Sequence, residues 1–229
     1  MLPTDCEELW IAYLRAEKDR VRGEFLPALD RFIDALLRHN KSIWHGWAVG
    51  LASDIADHGR DVPVRFALFQ RVLLPALTTS VLARRPGCAR WLAHFGTLLA
   101  KRSNSGLPDS LNSSLALLKE ATRVDPSDRQ AREQVVKRTA SDFDYALHEL
   151  PAGVLYGHDG ANISECDGLI ESLEEFRNHV AILGEEARFG DLIADCAHHF
   201  RCYREYVSLN RPGGSYERYL TQRNCEGLP

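Results

Sequence analysis

The densest group of side chains that could do chemistry lies within eight residues near the C-terminus. It offers one carboxylate, two imidazoles and two thiols: Asp195, His198, His199, Cys196 and Cys202. On a helix, Asp195, His199 and Cys202 share one face at i, i+4 and i+7, and zinc sites use three or four such ligands. One helix rarely supplies a whole site, and no second Cys/His pair has matching spacing. We therefore expect a structural helix with buried thiols here, and no metal.

A second candidate is the adjacent pair His158 and Asp159, in the glycine-rich stretch 151–162. A neighbouring imidazole and carboxylate can orient a base or bind a cation. No nucleophile lies close by in the sequence, and Asp159-Gly160 is also common turn chemistry. We therefore assign this loop, together with Tyr156, to partner recognition rather than to catalysis.

Motifs that would identify an enzyme are missing from the sequence. It contains no G-x-x-x-x-G-K-[ST] or G-x-G-x-x-G phosphate loop and no G-x-S-x-G elbow. His148-Glu149 lacks the second histidine of an H-E-x-x-H zinc motif. The sequence thus predicts a protein without catalytic residues and without a cofactor.

The strongest charge feature is an acidic segment, 163–196, with nine Asp and Glu against two Arg. Its net charge is −7, whereas the whole chain carries −4. Such a concentration favours a basic partner. Like charges at i, i+4 destabilise a helix by a few tenths of a kcal/mol per pair, so their presence indicates binding. The residues assigned to a basic protein partner are Glu165, Asp167, Glu171, Glu174, Glu175, Glu185 and Glu186, with Tyr156, His158 and Asp159 of the loop.

Composition and charge exclude several classes of protein. The 229 residues are 45% hydrophobic and 26% charged, which is typical of a folded globular protein. The pI of about 6.1 argues against nucleic-acid binding, and no apolar run reaches the ~18 residues of a membrane span. The start of the chain has no export signal, and six scattered cysteines without C-x-x-C indicate reduced thiols. We expect a cytoplasmic protein with no nucleic-acid or membrane partner; the oligomeric state stays open.

Helical periodicity along almost the whole chain predicts an all-α fold of about nine helices. Short connections indicate antiparallel helical hairpins, stacked as a bundle or a short solenoid. We expect one helical domain over 1–209, with a candidate subdivision near 103–109, and a polar tail over 210–229. A Thr4/Glu7 capping box is expected to start the first helix.

Further capping and breaking residues set the expected helix boundaries. Ser42 and Ser164 are expected to cap two helices that end at Gly59 and Gly184. Pro63 is expected in the first turn of a fourth helix, and Pro75 is expected to kink or break that helix. The Trp44 and Trp47 side chains are expected to pack in the core.

Residues after Pro86 follow a large–large–Gly–large spacing: Leu92, Phe95, Gly96 and Leu99. With Leu118, Ala121 and Pro126, the stretch 86–126 resembles a tetratricopeptide-type repeat. The two prolines lie 40 apart instead of the usual 34, so the loop at 103–109 must absorb the excess. The resemblance covers about 40 of 229 residues and ends before Arg132, which stands where a large apolar residue is expected. It implies a helical scaffold that presents a surface to a peptide or protein.

These observations favour a non-enzymatic protein-binding module with an acidic face. One concrete form is an immunity or antitoxin-type inhibitor of a basic toxin, for example a nuclease. Two alternatives remain. One is a helical-bundle metalloenzyme that uses the 195–202 cluster or the 158–159 loop; the other is a tetratricopeptide-like adaptor that binds a peptide.

Overall fold

The computed structural model describes residues 2–20, 22–101, 106–156, 159–211 and 214–225. These residues form helices and connections with no strand among them, which confirms the all-α prediction; the eleven helices they contain are close to the nine expected. The helices are α1 Thr4–Lys18, α2 Arg22–Arg38, α3 Lys41–His58, α4 66–82, α5 Cys88–His94, α6 Gly96–Leu99, α7 Ser114–Val124, α8 Arg129–Leu147, α9 Ile163–Leu183, α10 Glu186–Ser208 and α11 Tyr216–Cys225. Within the described part of the chain, none of these helices has the length and apolar character to span a bilayer.

The chain divides into two compact units, Met1–Ala131 and Arg132–Pro229. The division falls inside α8 rather than near 103–109, and a single domain over 1–209 stays a prediction. The first unit holds 18 Lys and Arg against 15 Asp and Glu, a net charge of +3. The second holds 10 against 17, a net charge of −7. The negative charge of the protein therefore belongs to the second unit.

Aromatic packing organises the first unit. Trp10 on α1 contacts Phe32 on α2, with ring centroids 4.9 Å apart, and Trp47 on α3 at 5.3 Å. Trp47 meets Phe32 edge-on. Such pairs each contribute about 0.5–1.5 kcal/mol beyond the area they bury. Trp47 thus packs against core rings as the sequence predicts, although it is only half-buried. Trp44 is also half-buried, beside the ring of His45.

The helical segment α4 departs from the sequence prediction at both prolines. It begins at Phe66, so Pro63 precedes the helix instead of occupying its first turn. Pro75 does not break it, because a π turn over Phe69–Leu73 comes directly before Leu74–Leu82. The proline ring would clash with the carbonyl four residues earlier in a regular helix, and the wider π turn gives it room.

The N-terminal caps lie one or two residues before the predicted ones. Pro3 is the N-cap of α1 and makes no side-chain capping bond, so the Thr4/Glu7 capping box is wrong. Asn40, not Ser42, caps α3: its side-chain oxygen accepts the Ser42 N–H at 2.9 Å.

Two helix ends are as expected, because Gly59 and Gly184 follow α3 and α9 in the left-handed conformation.

Rings from three helices form the core of the second unit. Phe143 on α8 packs edge-on against Phe176 on α9 and Phe200 on α10, with centroids 5.4 and 5.5 Å away. The stretch 210–229, expected to be a polar tail, instead contains α11. Its Tyr216 and Tyr219 are buried against tyrosines of α10.

Candidate partner-binding surface

The acidic helix α9 starts at a reciprocal cap. Asn162 accepts the backbone N–H of Glu165 at 3.0 Å, and the Glu165 carboxylate accepts the N–H of Asn162 at 2.9 Å. This capping box satisfies two N–H groups that the first turn would otherwise leave unpaired. Asn162 therefore caps α9 instead of Ser164, and Glu165 is exposed but already has a structural role.

Burial separates the two faces of α9. The residues Cys166, Leu173, Phe176 and Val180 are buried in the core of the second unit. The predicted partner-binding carboxylates lie on the other side of the helix. Glu171 and Glu174 are exposed, and Asp167 and Glu175 are partly exposed.

Some of these carboxylates have partners within the protein. Asp167 accepts two hydrogen bonds from the Arg204 guanidinium on α10, at 2.5 and 3.3 Å. These bonds hold the pKa of Asp167 below its ordinary value. A weaker contact joins Glu175 to His179, whose Nε2 lies 3.9 Å away.

Two further pairs are local to their helices. Glu174 pairs with Arg177 at 2.9 Å, and Glu185 pairs with Arg188 at 3.2 Å, both at i, i+3. Such surface pairs contribute only about 0–1 kcal/mol, so a partner's cation can compete for these carboxylates.

These ion pairs do not neutralise the surface formed by α9 and α10. Residues 163–208, which cover α9 and α10, hold ten Asp and Glu against four Arg, a net charge of −6. Glu186 is exposed in the first turn of α10, and Asp191 and Asp195 are exposed further along it. Among the described residues, no ion pair involves these three or Glu171. The predicted binding residues therefore include both engaged carboxylates and accessible ones.

The loop before α9 is held by close packing. A Cβ at Gly160 would lie 2.2 Å from the Tyr203 hydroxyl, and φ is +74°, so a larger residue would strain the backbone and displace the Tyr203 side chain. Tyr156 is exposed with φ +60°, and Asp159 is exposed. His158 lies outside the described residues, so the His158–Asp159 pair stays a prediction.

The 195–202 side chains face different neighbours. His199 Nδ1 lies 3.1 Å from the Tyr216 hydroxyl, and Cys202 Sγ lies 3.9 Å from His198 Nδ1. Burial lowers the pKa of His199. Over the residues that the structure covers, only Asp5, Cys6 and His39 bring three ligand atoms within 4.8 Å of one another. The Asp195, His199 and Cys202 ligand atoms are thus not gathered into a metal site.

The sequence interpretation missed a groove in the first unit. Its volume is about 440 Å³, and it lies between α1 and α3, with one charged side chain of α1, Glu7, among its lining. Gly46 and Gly50 open it: a Cβ at either position would meet nothing within 4 Å. Two helix-interior glycines cost about 1 kcal/mol each relative to alanine, and close packing does not explain them. Its lining also includes Trp10, Ile11, Leu14, Trp47, Leu51, Asp54 and Arg60.

Comparison with family models, with curated proteins and with solved structures finds no match. The tetratricopeptide resemblance therefore stays a prediction. Within the stretch 86–126, α5 and α7 pack against each other. Leu92 and Leu99, two residues of the matching spacing, lie on separate helices, α5 and α6, which divide at Phe95.

Proposed function

We propose that this protein is a non-enzymatic protein-binding module whose second unit docks a basic protein partner. The observation that carries the proposal is the net charge of −6 over α9 and α10, with Glu171 and Glu186 exposed. Complementary charge speeds and orients the association of two proteins. The concrete form is an immunity or antitoxin-type inhibitor that acts in the cytoplasm.

The chemistry of the surface supports one class of partner. A nuclease binds a polyanion through Lys and Arg, which release counterions when they neutralise phosphates. The exposed carboxylates of α9 and α10 would pair with the same Lys and Arg side chains. A basic toxin of the nuclease type is therefore the partner we propose.

The experiment has two stages. Capture from the source cell at low and high salt, followed by mass spectrometry, identifies candidates whose binding weakens with salt. Association rates are then measured for Glu171→Lys/Glu186→Lys. We expect a decrease of about tenfold or more in the association rate, because charged surfaces act mainly on this rate.

A matched control changes the same charge elsewhere. Glu8→Lys/Glu24→Lys alters the net charge by the same amount on exposed positions of the first unit. It should affect the association rate much less. Equal effects from the two double variants would contradict the assignment of the partner-binding surface to α9 and α10. No effect from Glu171→Lys/Glu186→Lys would contradict it as well.

The groove favours a second candidate function, the peptide-binding adaptor. Its lining combines apolar and aromatic side chains with Glu7 and Asp54, of which Asp54 pairs with Arg60 at 2.9 Å. The occupant that fits is a short peptide with an apolar side chain beside a basic one.

The glycines allow a direct test of this candidate. Gly50→Leu would place a side chain in the groove, with its Cβ meeting nothing within 4 Å, and would raise helix propensity. Gly190→Leu on α10, where a Cβ also meets nothing, is the control. Loss of partner binding in the first variant alone, with competition by a short peptide, would support the adaptor. Unchanged binding in both variants would exclude the groove.

A further inference from the structure

Three metal-ligating side chains meet at one end of the α1–α2 hairpin. Asp5 and Cys6 lie in the first turn of α1, and His39 follows the last residue of α2. The helices have 15 and 17 residues and are separated only by residues 19–21. They therefore run back along each other for a similar length, which brings the start of α1 to the end of α2.

The ligand atoms are already close together. His39 Nε2 lies 3.1 Å from Asp5 Oδ2, and the Cys6 sulfur lies within 4.8 Å of both groups. In a tetrahedral zinc site with Zn–N and Zn–O bonds near 2.0 Å and Zn–S near 2.3 Å, ligand atoms lie about 3.3–3.6 Å apart. Even a pair at the 4.8 Å limit would need to approach by only about 1.3 Å, which side-chain rotation can supply.

The three groups also suit the metal chemically. A thiolate, an imidazole and a carboxylate are the ligand types that zinc takes in proteins. The thiolate and the carboxylate together neutralise a divalent cation. Cys6 is buried while Asp5 is exposed, so the protein would cover one side of the ion and leave a position open to water.

We infer that Asp5, Cys6 and His39 form a binding site for Zn²⁺, with water as the fourth ligand. The ion fastens the start of α1 to the end of α2. This site lies in the first unit and does not depend on the acidic surface of the second.

The test uses the full chain without a polyhistidine tag. Protein freed of metal is titrated with Zn²⁺ and with Co²⁺ as its spectroscopic substitute. We expect one ion per chain, a thiolate-to-cobalt charge-transfer band, and a higher unfolding temperature in the presence of Zn²⁺. No stoichiometric binding at micromolar metal would overturn the inference.

Variants assign the ligands. Asp5→Asn changes an exposed side chain and should weaken Zn²⁺ binding about tenfold or more without affecting the fold. Cys6→Ser should abolish the charge-transfer band. Cys88→Ser, also a buried thiol of the first unit, and His199→Asn, from the 195–202 cluster, are the controls. If a control removes metal binding while Asp5→Asn and Cys6→Ser retain it, the site is elsewhere and the inference fails.

Discussion

The guanidinium of Arg90 donates from Nε to the carboxylate of Asp128, 2.8 Å away, and each of these side chains is only 9% exposed. Arg90 also donates to Asp57 and, at 2.9 Å, to Gln130. Asp57 accepts a further bond from the Trp91 indole at 2.8 Å. One buried cation thereby connects α3, α5 and the start of α8 within the first unit.

Removing this cation should destabilise the protein strongly. Arg90→Met would leave the Asp128 carboxylate, and the partly buried Asp57 carboxylate, without their counter-ion. Breaking a buried ion pair in this way costs about 3–5 kcal/mol. The free energy of unfolding in urea measures the loss. Arg60→Met removes an exposed arginine paired with Asp54 and should cost less than about 1 kcal/mol. Similar losses in both variants would show that burial of the Arg90 network adds nothing.

Acid should weaken the same network. Burial tends to raise the pKa of Asp57, but hydrogen bonds from Arg90 and Trp91 outweigh it and hold the pKa below 3.8. As the pH falls, the Asp57 carboxylate is protonated at a higher pH in the unfolded chain than in the folded protein. The stability due to Asp57 is therefore complete above about pH 4 and is lost as the pH falls through the lower pKa of the folded state. Urea unfolding measures the free energy of unfolding at about pH 6 and at about pH 3. Its decrease between these two pH values should be smaller for Asp57→Asn than for the unchanged protein.

Gly87 should tolerate alanine less well than Gly59. Both have positive φ, +78° and +64°, so both substitutions strain the backbone by about 1–2 kcal/mol. At Gly87 the added Cβ would also lie 2.6 Å from the Trp91 ring, whereas at Gly59 it meets nothing within 4 Å. Thermal unfolding should therefore show a larger decrease in stability for Gly87→Ala. An equal decrease would mean that the Trp91 ring moves aside without cost.

The described cysteines should react slowly with alkylating reagents. Cys6, Cys88, Cys166, Cys196 and Cys202 are all free and buried. Burial raises the pKa of Cys166 to about 11 and that of Cys196 to about 12, so little thiolate forms at neutral pH. Iodoacetamide labelling with peptide mapping should detect modification of these two residues only after denaturation. Rapid labelling of the folded protein would indicate local opening of α9 or α10.

Helix content and the longest helices could be predicted because hydrophobic periodicity is local information. The helix ends expected at Gly59 and Gly184 are those of α3 and α9. Helix α11 was missed because its sequence is polar on average. Its stability depends on Tyr216 and Tyr219 packing against Tyr203 and Tyr206 of α10, a contact that periodicity does not report.

The candidate surface was only partly predictable for the same reason. The number and sign of its charges follow directly from the sequence. The ion pair between Glu174 and Arg177 could be predicted from its i, i+3 spacing. The pairing of Asp167 with Arg204, 37 residues apart, depends on the register of α9 against α10. The groove between α1 and α3 left one signal, the glycines at i, i+4, Gly46 and Gly50.

Helix α8 starts at Arg129, three residues before the second compact unit begins at Arg132. The backbone N–H of Ala131 donates to Asp128, the residue that also binds Arg90. A recombinant fragment cut at 132 would therefore lose the carboxylate that closes the first turn of α8. A first-unit fragment cut before Asp128 would lose a buried counter-ion. Truncation experiments on this protein need both fragments to overlap across 125–132.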